Sequence, residues 1–200
     1  MGYGKWYGNG KIIAGGHSIK VDTRIGKHIE RGLNGMRYNT VSRQWNDEGC
    51  FICGMDNPAG IKAEFFNCVD EDGQEVLITE FKTADIHRSY LGRTHGGVTS
   101  ALLDESIGRA AYIRFPEISV VTVDLSVKLR KAVPVNETLY VISQITNATS
   151  RMFNGEGKMV DKNGVVLATA TGRYFRLPLK DVDLASRRYL KEKMPEFFEI

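Results

Sequence analysis

The sequence predicts an α+β domain in which about six antiparallel strands curl round one long helix. Three observations predict it. Strand-like runs flank a single convincing helix, two before it and four after it. The links between the later runs are too short for crossover helices, so the pairing must be antiparallel. One helix, over 96–114, stands where it can cover a sheet face. It carries Ser100, Ala101, Ser106, Gly108, Ala110 and Ala111, small residues that let a helix lie close to a curved sheet.

Residues 1–45 fit neither period cleanly. They alternate glycine with aromatics at the start and scatter Ile12, Ile13, Ile19, Val21, Ile25 and Ile29, and they read as an appendage. The domain is expected over 46–180. Ile61–Val69 and Glu75–Phe81 read as strands joined by the turn Asp70-Glu71-Asp72-Gly73. Thr83–Thr94 reads as a loop, then comes the helix, then Pro116. Ser119–Leu129 alternates, with Val121, Val123, Leu125, Val127 and Leu129 expected on one face. Thr138–Ala148, Met152–Asp161 and Val165–Leu177 follow, the last two joined through Asn163-Gly164, a strong hairpin signal. Residues 181–200 are expected to close the chain with a helix over Asp181–Met194. Acids lie in its first turn and lysines in its last, and Pro195 follows.

The 200 residues carry 42% hydrophobic and 26% charged side chains, proportions that support a packed core and exclude wholesale disorder. No run of roughly 18 apolar residues is present, so no membrane span is expected. No apolar leader with a cleavage site opens the chain, and three cysteines make no disulfide framework, so a cytoplasmic setting is expected. The net charge of +3 is unevenly placed. Residues 1–49 hold eight Lys/Arg against four Asp/Glu, whereas residues 50–180 hold fifteen of each. A nucleic-acid binder carries its basic face on the folded domain, so that class is not expected.

One segment carries chemistry. Gly96-Gly97 opens an apolar helix directly after His95. Backbone N–H groups at a helix start have no intrahelical partner and favour negative charge, which is the raw material of an oxyanion hole. Two turns on, Asp104 interrupts a face made of Val98, Ala101, Leu102, Ile107 and Ala111. A carboxylate at that depth is costly unless paired or employed, and a desolvated one suits a general base or nucleophile.

The run HGGVTSALLDESIGRAA, with CFICGMDNPAGIKAEF upstream, resembles the hotdog-fold thioesterase superfamily. It is most similar to the phenylacetate-degradation-type branch, related to 4-hydroxybenzoyl-CoA thioesterases. The resemblance spans about residues 50–177 and implies the hotdog fold, a sheet wrapped round one helix. It also implies an acyl-CoA thioester as substrate, with no resident cofactor and no metal. On this pattern the Gly96 N–H polarises the thioester carbonyl, with Gly97 beside it and His95 supporting the loop. The carboxylate of Asp104, from the other subunit, activates water or attacks the carbonyl. Thr122 falls where a hydroxyl orients that water. Ser89 stands where family members often carry a substrate-contacting Asn, so that contact is expected to differ. A homodimer or homotetramer is implied. Ser106, Ala110 and Ala111 are expected to let two helices approach, and edge pairing would remove an exposed sheet edge. The alternative within the same fold is a non-catalytic acyl-CoA or lipid-binding module.

Other candidates are weaker. Glu105 points about 100° round the helix from Asp104 and reads as a surface or dimer-contact residue. His87 and Arg88 read as solvated loop residues near the pocket mouth. Coenzyme A phosphates need cations; Arg93, Lys128, Arg130, Lys131 and Arg151 are the candidates. Cys50-x-x-Cys53 with Cys68 lacks the second ligand pair of a zinc site and the βαβ context of a thioredoxin, so it reads as a packing segment.

Overall fold

The computed structural model describes residues 37–182, together with 6–7, 11–14, 17–20, 188, 191 and 192. Near the N-terminus β1 (Trp6–Tyr7), β2 (Lys11–Ala14) and β3 (His17–Lys20) form an antiparallel three-stranded sheet, with Lys11 opposite Lys20. The main sheet has seven strands in the order β4-β5-β6-β10-β11-β12-β9. These are β4 (Tyr38–Arg43), β5 (Glu64–Asp70), β6 (Glu75–Lys82), β9 (Ile118–Leu129), β10 (Thr138–Ala148), β11 (Met152–Val160) and β12 (Val166–Pro178). Every neighbouring pair is antiparallel. The seventh strand, β4, comes from the stretch whose sequence reads as appendage. It pairs with β5 along one edge, and Tyr38, Thr40 and Val41 are buried. The expected loop over 83–94 holds a 3-10 turn (Asp85–His87) and a small hairpin of β7 (Arg88–Tyr90) and β8 (Arg93–Thr94).

Helix α1 spans Gly96–Arg109 and runs on as a 3-10 turn over Ala110–Ile113. It lies across the sheet, burying Leu102, Leu103, Ile107 and the Phe65, Leu77, Leu139, Val141, Phe153 and Met159 side chains beneath it. The close approach depends on glycine in β11. A Cβ at Gly155 would lie 2.6 Å from the Ile107 side chain. Ser106, Ala110 and Ala111 are at most 2% exposed and face the core. Their small size serves the packing of helix on sheet; it is not available to a second helix as the sequence suggested. A second apolar cluster, including Tyr38, Phe66, Val76, Ile78, Tyr140 and Ile142, lies on the sheet's other face.

The turns follow local chemistry. Gly73 and Gly164 take φ of +78°, a conformation that favours glycine. Asp161 Oδ1 accepts from Asn163 N–H at 2.8 Å and Val165 N–H at 2.9 Å, closing the β11–β12 hairpin. Strand β9 departs from the sequence reading. Its register with β12 shifts between Thr122–Tyr174 and Asp124–Arg173, a bulge at Val123. The bulge reverses the alternation. Val120 packs on the core before it and Leu125 and Val127 after it, whereas Val121 and Val123 are 49% and 56% exposed. The expected closing helix falls mostly outside the described residues. Leu179–Asp181 form a 3-10 turn, and residues 188, 191 and 192 are helical. Among the described residues no helix is long and apolar enough to cross a membrane.

Candidate active site

The β9 bulge turns Thr122 toward α1. Thr122 Oγ1 donates to the Asp104 carboxylate, 3.0 Å from Oδ1 and 3.2 Å from Oδ2. A second hydroxyl reaches the same group from β12: Tyr174 OH lies 3.1 Å from Asp104 Oδ1 and 3.2 Å from its backbone oxygen. Among the described residues Asp104 forms no ion pair. Its charge is therefore oriented by neutral donors and is not cancelled by a cation.

Tyr174 was not legible as a site residue in the sequence. It is buried, and its ring stacks on Phe153 with centroids 4.9 Å apart. A Cβ at Gly172 would lie 2.5 Å from that ring, so glycine there makes the room. Burial pushes the Tyr174 phenol well above its usual range, and the Asp104 carboxylate adds to the shift. The phenol therefore stays a proton donor. The sequence signal was slight: a Gly-x-Tyr on the strand facing the helix.

The helix start has a different construction. His95 is the N-cap, and its Nδ1 accepts the Gly97 N–H at 2.9 Å. With Nδ1 accepting, the neutral ring carries its proton on Nε2. This ties His95 to shaping the loop and commits the Gly97 donor. Among the described residues nothing accepts from Gly96 N–H, which leaves it for a ligand oxygen. Leu129, at the far end of β9, covers this turn, and a Cβ on Gly96 would lie 3.1 Å from its Cδ1.

The remaining candidates are spread out. His87 is buried, unlike the solvated residue the sequence suggested. Its Nδ1 accepts from Ala84 N–H at 3.0 Å and its Nε2 donates to Ala59 O at 2.9 Å, so both ring nitrogens serve the loop. Ser89 and Arg93 are exposed on the β7–β8 hairpin just before His95. Lys128 and Arg130 line a groove of about 530 Å³ with Lys158 and Glu156. That groove is on the face away from α1, because Glu156 and Lys158 alternate with Gly155 and Gly157, which touch Ile107. The structure thus does not bring Lys128 or Arg130 to the helix start. Lys131 is exposed at the end of β9, and Arg151 is exposed in the β10–β11 turn.

Glu105 is not a plain surface carboxylate. Its Oε1 binds Arg109 Nε at 2.6 Å, and Arg109 is buried against the Phe65 ring, 4.2 Å from the centroid. Cys50 and Cys53 join this group. The sulfurs of the pair and a Glu105 oxygen all lie within 4.8 Å of one another.

A sheet curled round one helix, with a hydroxyl-held carboxylate in mid-helix and an uncommitted N–H at its start, defines a hotdog-fold protein with a carboxylate site. Residues 91–168, from the β7–β8 hairpin through α1 to the start of β12, match the model of the thioesterase superfamily. The match covers well under half of the 200 residues and shows that this segment is similar to that superfamily. Among solved structures, the zebrafish thioesterase superfamily member 2 is 19% identical, covers 62% of this chain and 91% of its own, and superposes with a TM-score of 0.52. A Bacillus halodurans protein solved with CoA is 26% identical over 55% of this chain and 71% of its own, with a TM-score of 0.48. A Ralstonia eutropha thioesterase described as phenylacetic acid degradation-related is 19% identical over 50% and 75%, with a TM-score of 0.47. No curated protein matched the chain.

Proposed function

We propose that this chain hydrolyses an acyl-CoA thioester at a site shared by two copies of itself. The observation that carries the reading is the carboxylate of Asp104, held by the Thr122 and Tyr174 hydroxyls and left without an ion pair among the described residues. Such a group is oriented, basic and able to take a proton from water. Water attacks the thioester carbonyl carbon while Asp104 accepts its proton. The developing oxyanion sits on the Gly96 N–H. The C–S bond then breaks, the proton passes to the thiolate of coenzyme A, and the carboxylic acid leaves.

Geometry supports the sharing. Gly96 and Asp104 are eight residues apart on one helix, so about 12 Å separates them along its axis. One carbonyl cannot meet both within one chain. Strand β9 ends the main sheet and exposes Val121 and Val123, an apolar edge suited to pairing with a second copy. Of the cations, we assign to coenzyme A phosphates Arg93, on the hairpin before the helix start, and Lys131, in the segment between Leu129, which meets Gly96, and Val133, which pairs with Thr94. The free thiols Cys50, Cys53 and Cys68 fit a reducing cytoplasm.

The test is a panel of aliphatic and aromatic acyl-CoAs, with released thiol measured against time. Mixing Asp104→Ala chains with Gly96→Pro chains rebuilds one intact site per heterodimer, so part of the activity returns. A fully active monomer in sedimentation, or no recovery in verified heterodimers, overturns the shared site. No hydrolysis of any acyl-CoA by the folded dimer overturns the reaction.

A further inference from the structure

The Cys50-x-x-Cys53 segment is built around its sulfurs. Asp47 Oδ1 accepts from Gly49 N–H and Cys50 N–H, and Gly54 N–H closes the turn on Cys50 O at 2.9 Å. The backbone then aims donors at both sulfurs. Ile52 N–H donates to Cys50 Sγ and Asp47 N–H to Cys53 Sγ, each at 3.3 Å. Arg109 Nη2 adds a third donor to Cys53 Sγ at 3.3 Å. Cys53 is fully buried, whereas Cys50 is half-buried. Cys50 thus keeps part of its surface exposed and Cys53 none.

Two sulfurs and the Glu105 carboxylate within 4.8 Å of one another also suggest a cation. The cluster already has one. The Arg109 guanidinium touches Cys53 and Glu105 and is locked by Trp45 O at 2.8 Å. It takes the place in which a metal ion would balance these charges. What remains is a thiol pair whose inner member, Cys53, sits beside a fixed cation.

We infer that Cys50 and Cys53 are a redox dithiol, closed to an intramolecular disulfide by a hydroperoxide and reopened by a thiol reductant. Cys50 thiolate attacks the peroxide oxygen. An S–O bond forms, the O–O bond breaks, and hydroxide or alkoxide leaves. Cys53 then attacks the sulfenic sulfur; the S–S bond forms, and the displaced hydroxide takes the Cys53 proton and leaves as water. The dithiol gives up two electrons and two protons, and the peroxide is reduced to water and a second water or alcohol. The neighbouring Cys53 thiol holds the Cys50 thiol below its usual range. Cys53 is held above its usual range by Cys50 and by burial. Cys68 is buried and pushed up to about 12, which makes it an internal control. The inference does not depend on thioester hydrolysis, and its readout is the state of the thiols.

The reduced full-length chain is treated with stoichiometric hydrogen peroxide at neutral pH, and free thiols are counted in denaturant. Two of the three cysteines should be lost, and dithiothreitol should return both. The peptide holding Cys50 and Cys53 should be lighter by two hydrogens. Cys50 should react about tenfold or more faster than Cys68. Cys53→Ser should trap Cys50 as a sulfenic acid that a dimedone probe captures, and Cys68→Ser should behave as wild type. Three intact thiols after peroxide overturn the inference. So does a crosslink between chains in place of one within the chain. Stoichiometric metal in the purified protein, released only when Cys50 and Cys53 are alkylated, would make the pair a ligand set and also overturn it.

Discussion

Asp104 and Glu105 are neighbours in the chain, turned about 100° apart on one helix, and they end in opposite surroundings. Thr122 and Tyr174 give Asp104 two hydroxyl donors. Arg109 gives Glu105 a guanidinium at 2.6 Å. Neutral donors fix a carboxylate's direction and leave its charge for a reacting group. A buried guanidinium uses that charge to balance its own, and the pair becomes part of the fold. On the proposed function, the same functional group therefore serves chemistry on one side of α1, while it serves packing on the other.

The largest expected effect tests that division directly. Asp104→Ala should fold and lose thioester turnover by about two orders of magnitude or more, as removal of a general base does. Glu105→Gln should keep turnover within about threefold of wild type. Comparable losses in both, measured on folded protein, would break the comparison.

Stability should sort the other way. Arg109→Met keeps the apolar contact with Phe65 but leaves Glu105 and the Cys53 sulfur without their cation. It should lower unfolding free energy by about 2 kcal/mol in urea titrations, a value reduced from that of a buried pair because Glu105 is part-exposed. Thr122→Val should cost far less stability than this. A Thr122→Val loss as large as that of Arg109→Met would mean that the Asp104 side is structural too.

Tyr174→Phe sharpens the role of the second hydroxyl. It keeps the ring stacked on Phe153 and removes one hydrogen bond to a charged group, so kcat should fall about tenfold. KM should stay near wild type, because the phenol's hydrogen bonds go to Asp104. A rise in KM alone would place Tyr174 in the binding surface.

The smallest effect is in the pH dependence of stability. The Tyr174 phenol is raised by burial first and by Asp104 next. The unfolded chain releases this proton near pH 10, while the folded chain holds it. Stability from this group is therefore complete below about pH 10 and falls as pH rises above it. Above pH 10, wild type should lose stability more steeply than Tyr174→Phe. Parallel curves for the two proteins would show that neither burial nor Asp104 holds the Tyr174 proton in solution.

Much of this was readable before the structure because it is local. Gly96-Gly97 after His95 specifies an open helix start through the absence of side chains. Asp104 stands out by breaking an apolar face, and Asn163-Gly164 specifies its hairpin through a glycine that accepts positive φ. The sequence by itself also determined the antiparallel order, since the short links after α1 leave no length for a crossover. Only the tertiary structure decided which face of β9 meets the helix. The bulge at Val123 arises in the pairing with β12, and it aims Thr122 at Asp104 on α1 and leaves Val121 exposed, against the plain alternation. Tyr174 lies seventy residues beyond Asp104, and β4 lies in a stretch whose own pattern is weak. Arg109 reaches Cys53 across fifty-six positions. Such contacts depend on register and on layers meeting in space, and no local propensity encodes them.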